Sequence, residues 1–150
     1  MPALADIVLT PAHADAFIAG CEQLAEARIT GLGGLRGTAA KAAFGVLRAA
    51  RPDLLPRTMR ALAPEYLNAL EPLYRDFVAA GGGDFGGYLK RHGEAAAQAL
   101  LAATDARAAR VKNPAVKSVY ARLRHGAERE VDAALPQFAE LLARQLRAAA

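Results

Sequence analysis

TPAHADAFIAGCEQLAEARIT, residues 10–30, decides the fold class. Phe17, Ile18, Cys21, Leu24, Ala25 and Ile29 recur at spacings of three and four, which lays them along one side of an α-helix. The acids and the remaining small residues fall elsewhere on the turn. Thr10 followed by Pro11 reads as an N-cap and first helical position, because a threonine hydroxyl can accept from a free N–H and proline gives up none that is needed. Thr30-Gly31 marks the stop. A chain that opens with so regular a stripe, and then repeats it, is helical throughout.

The composition agrees with that reading. Of 150 residues, 38 are alanine and 20 leucine, both strong helix formers, whereas Val, Ile and Thr together supply 15. Outward from the first stripe, a helix begins near Gly34–Thr38, carries Ala40, Ala43, Phe44 and Leu47 inward and breaks at Arg51-Pro52-Asp53. A short helix over Asp53–Leu62 is expected next. Pro64 then opens another, which Pro72 kinks or divides and Gly81-Gly82-Gly83 ends. Asp84 caps a helix with Phe85, Tyr88 and Leu89, and an alanine-rich helix covers Glu94–Val111. Asn113-Pro114 restarts the chain toward Leu135, and Pro136 begins the last helix. The expectation is an all-α, single-domain bundle of six to eight helices spanning residues 1–150.

Two halves are legible, about 1–75 and 76–150. Lys41, Phe44, Leu47 and Arg48 match Lys117, Tyr120, Leu123 and Arg124 at a constant offset of 76, and Leu62, Pro64 and Tyr66 approximate Leu135, Pro136 and Phe138. Charge follows the same plan. Residues 36–60 carry +5 and residues 106–127 carry +6, leaving −7 for the rest of a chain whose net charge is +4. An internal duplication packed about an approximate two-fold would produce this pattern.

Chemistry is harder to find. His13, His92 and His125 form no metal-ligand spacing, and Cys21 lies within an apolar stripe. Glu22 and Glu26 share a helix face but lack the Glu-x-x-His partners of a di-metal bundle. Neither glycine cluster has the strand and spacing that cradle a phosphate. No catalytic residue, metal or cofactor is therefore assigned, and an enzyme is disfavoured. The polar candidates are Lys41, Arg48, Lys117 and Arg124. Positions seven apart share a helix edge, and paired halves would bring these cations to one groove for an anionic partner.

Cys21-bearing helix, Gly31-Leu-Gly-Gly-Leu35 before Lys41-Ala-Ala-Phe44, Leu62-Ala-Pro-Glu-Tyr66 with Ala69-Leu-Glu-Pro-Leu-Tyr74, and Thr104-Asp-Ala-Arg107 before Lys117-Ser-Val-Tyr-Ala-Arg-Leu123 resemble a family of short bacterial helical proteins, a domain of unknown function. The resemblance implies a bacterial helical domain and transfers no site. With no leader-like start and a single cysteine, a cytoplasmic location is expected. The favoured function is a non-enzymatic interaction or scaffold domain that self-associates as a homodimer. An anion-binding module is the alternative, and an apolar-ligand pocket near Phe77, Phe85 and Tyr88 a third.

Overall fold

A computed structural model describes all of residues 1–150 as eight helices and no strands: α1 (Leu4–Val8), α2 (Ala14–Thr30), α3 (Gly34–Ala50), α4 (Leu54–Ala79), α5 (Phe85–Arg91), α6 (Gly93–Ala108), α7 (Pro114–Arg124) and α8 (Ala127–Ala149). The all-α bundle expected from periodicity is what forms. No helix is long and apolar enough to cross a membrane.

Several boundaries move, each for a physical reason. Thr10 does not cap a helix. Its carbonyl accepts from the N–H groups of His13 and Ala14, so Thr10–His13 is a turn and α2 starts at Ala14. The residues before it make α1, whose Leu4 and Val8 are fully buried. A five-residue helix is too short to show a period, so pattern alone could not reveal it. Pro64 and Pro72 divide nothing, and α4 runs through both. Each proline deprives the carbonyl four residues earlier of its donor. Those residues, Arg60 and Asn68, are exposed, so water can replace the lost bond. Pro136 likewise sits inside α8, with Asp132 exposed. The break expected there falls instead at His125-Gly126. Asn113 behaves as its sequence position demands: its side-chain oxygen accepts from the N–H groups of Ala115 and Val116.

Helices α2, α4, α6 and α8 form a ring, each packed on the next and α8 back on α2. Leu62, Leu67, Leu70 and Leu142 fill its middle with almost no exposure, and no charged or polar side chain is buried among them. Phe138 stands edge-on to both Phe17 and Tyr66, at 6.0 and 6.5 Å. Gly20 lets α2 approach α8, since a Cβ there would lie 2.7 Å from Leu141. α1 packs on α4 and α8, and α5 on α8 and α4. α3 packs chiefly on α7. Buried positions recur at an offset of 81 for Leu4 and Val8 with Phe85 and Leu89, and at an offset of 79 for Phe17, Ile18 and Cys21 with Ala96, Ala97 and Leu100.

α4 and α5 are joined through Gly81-Gly82-Gly83, with φ of 111°, 74° and 107°. L-residues rarely adopt such angles, which is why three glycines stand in a row. Gly82 N–H donates to the Phe77 carbonyl and ends α4.

Candidate functional site

Under α3 and α7 lies the most distinctive feature of the molecule, an apolar chamber of about 320 Å³. Its floor comes from one end of the ring: the C-terminal parts of α2 and α6 and the N-terminal parts of α4 and α8. Its roof is the α3–α7 layer, which contributes Phe44, Leu47, Val116, Val119, Tyr120 and Leu123. Of 28 lining residues 23 are hydrophobic. The chamber opens partly to solvent, as small-molecule clefts do. It arises because α3 and α7 lean on each other while only their inward side chains reach the ring.

Of the polar residues at the walls, all but Thr58 are already occupied. Arg28 of α2 pairs with Glu130 of α8 at 2.8 Å. Arg124 of α7 donates to Asp105 of α6 at 3.0 Å, and the Tyr120 hydroxyl donates to the same carboxylate. Thr104 donates to the Leu100 carbonyl, so at 2.8 Å the Tyr66 hydroxyl must be the donor to Thr104. The donated hydrogen bond from Tyr120, with Arg124 beside it, holds the Asp105 carboxyl below the usual carboxylate range. Burial, then the bond to Asp105, pushes the Tyr120 phenol up. Burial also raises Tyr66. Cys21, in the floor, is pushed up to about 12 by burial alone. A thiol so placed stays protonated, which removes it as a nucleophile. The chamber therefore presents hydrocarbon, neutral phenols, the Thr58 hydroxyl and charge pairs that cancel.

The four cations singled out by the repeat sit in this layer with different partners. Arg48 pairs with Glu26 of α2 at 2.6 Å, the counterpart of Arg124 with Asp105. Lys41 donates to the Thr30 carbonyl at 3.4 Å, and Lys117 makes no ion pair. Two of the four are thus neutralised by a carboxylate and two are not. Sequence reasoning missed the acids that hold them, yet a signal existed. Glu26 and Arg28 align with Asp105 and Arg107 when the correspondence is carried back one helix, at an offset of 79.

Beside Phe77 and Phe85 there is a depression of about 510 Å³. It lies at the opposite end of the ring, and its walls include the polar Asp84 and Arg147. Phe77, Phe85 and Tyr88 spend their faces on one another, with ring centres 5.0 and 5.4 Å apart for the two pairs made by Phe77.

Fold and site together define a helical bundle with a roofed apolar chamber. Residues 4–146 match a family of unknown function, DUF6918, and the chain belongs to it. No curated protein and no solved structure matches the chain.

Proposed function

We propose that this protein binds a small, predominantly apolar, uncharged molecule in the chamber beneath α3 and α7. The observation that carries the reading is a partly open cleft of about 320 Å³ whose walls are almost wholly hydrocarbon. Small-molecule sites commonly fall in the range of about 300–1,000 Å³ and are lined in this way, with a few polar groups to orient the ligand. The paired Arg28–Glu130 and Arg124–Asp105 supply no uncompensated charge for an ionic head group. Tyr66 and Tyr120, having donated their protons, present oxygen lone pairs to a ligand hydroxyl or amide N–H.

Uptake of Nile red, a neutral polarity-sensitive dye, tests the reading directly. Fluorescence should rise with the wild-type protein and fall at least tenfold in affinity with Ala134→Phe, which puts a ring into the chamber. Native mass spectrometry of the purified protein should show added mass on the 15.7 kDa chain. A dye response equal in wild type and Ala134→Phe would sink the chamber as the site. The interaction-domain and anion-binding readings draw their support from the other side of the same layer, where neither α3 nor α7 carries an acid.

A further inference from the structure

α3 has two apolar faces and the fold uses one. Phe44 and Leu47 turn into the chamber. On the opposite side Leu35, Ala39, Ala42, Val46 and Ala49 are all exposed. At 100° per residue these five fall within about 80° of arc, a strip along the whole helix with no charge in it. Leu35 is 94% exposed and Val46 73%, more than any other large apolar residue of the eight helices. Exposed cations without carboxylate partners flank the layer: Arg36, which touches His125, and Lys41, which donates to the Thr30 carbonyl, on α3, with Lys117 and Arg122 about 140° apart on α7. No acid lies on either helix.

We propose that the outer surface of the α3–α7 layer docks on a lipid bilayer carrying anionic headgroups. Leu35 and Val46 enter the boundary between headgroups and acyl chains, and the flanking cations answer the lipid charges. Charge complementarity selects this occupant. A second copy of the chain, meeting α3 with its own α3, would set Arg36 and Lys41 against the same cations, and neither helix carries an acid to compensate them. An uncharged partner would leave the same cations desolvated and unpaired. A bilayer surface supplies negative charge over the whole area and a shallow apolar layer that suits a strip of two large residues among alanines. Each Lys or Arg near such a surface is worth about fivefold in partitioning, and the attraction falls within a Debye length. Binding is therefore peripheral and salt-sensitive.

The experiment is flotation of the full chain with vesicles of phosphatidylcholine alone and of phosphatidylcholine with one third phosphatidylglycerol, at low and at physiological salt. The expected result is binding to the anionic vesicles, weakened by salt, with none to the neutral ones. Lys117→Glu with Arg122→Glu should lower partitioning by roughly 25-fold or more. Val46→Glu with Leu35→Glu should do the same while leaving the helical circular dichroism unchanged, since both side chains are exposed. Arg144→Glu, on the distant C-terminal part of α8, should change the affinity little. Equal binding to neutral vesicles, or insensitivity to the α3 pair, overturns the proposal. So does a dimer by light scattering that Val46→Glu dissociates, which would assign the strip to a second copy. Retention of an acidic helical peptide in place of anionic vesicles would overturn it in favour of a protein partner.

Discussion

Cys21 is a built-in reporter of the chamber. Burial moves its thiol to about 12, so at pH 8 on the order of one molecule in ten thousand carries the thiolate, against about a quarter for an unperturbed cysteine. Modification by an aromatic disulfide reagent should run at least about 100-fold slower in the native protein than in urea; comparable rates would mean that the floor is open to solvent. Glu65 gives a second prediction at this scale. Hydrogen bonds donated by Arg107 and Arg110 hold its carboxyl below the usual range. A lowered folded value stabilises the protein fully above the unfolded value, near 4.3, and that contribution disappears as pH falls through the folded one. Glu65→Gln should therefore cost about 1 kcal/mol at pH 7, a figure discounted for partial exposure, and cost nothing once both forms are acidified. Thermal unfolding of the two proteins at pH 7 and pH 2 measures the difference.

At the scale of elements, the helices that periodicity could find were those with one long apolar side, and the errors sit where something other than periodicity governs. α1 is fixed by burial of Leu4 and Val8 and by the Glu71 carboxylate, which accepts from the Leu4 N–H at 3.0 Å from 67 residues away. Nothing local in residues 4–8 announces that partner. Pro64, Pro72 and Pro136 mislead because the cost of a proline depends on whether water reaches the freed carbonyl, which is a tertiary property. The candidate site divides the same way. Its residues were visible as stripes, and Arg48 and Arg124 as a repeated pair. The empty volume was not, because it depends on how far α3 and α7 stand from the ring. Asn113 tests how firmly that roof is held. It is the only N-cap residue whose own side chain hydrogen-bonds to its helix in this fold. Asn113→Ala should destabilise by about 1 kcal/mol and speed amide exchange across Ala115–Lys117 more than in α8. Unchanged exchange in α7 would show that packing, and not the cap, seats the helix.

For the whole molecule, the correspondence between α1–α4 and α5–α8 has a mechanical consequence. α1 packs on α4 and α8 while α5 packs on α8 and α4; α2 contacts α4 and α8 while α6 contacts α8 and α4. Each half therefore spends much of its apolar surface on the other, and neither encloses a core alone. The chamber and its roof are also joint property, since both halves supply floor and lid. We propose that the halves are copies of one four-helix unit arranged about a two-fold, so that the chain resembles a dimer joined through Gly81–Gly83. Cutting there should then separate folding from covalent continuity. Fragments 1–82 and 83–150 should each be largely unstructured alone, because Leu67, Leu70 and Phe17 lose α6 and α8, and should regain helical circular dichroism with 1:1 stoichiometry when mixed. Removing the link raises the entropy cost of assembly, so the complex should be weaker than the intact chain and depend on concentration. A first fragment that folds by itself as a homodimer would show the copies to be interchangeable. A first fragment that folds as a stable monomer would show that each half owns its core, and the two-unit reading would fail.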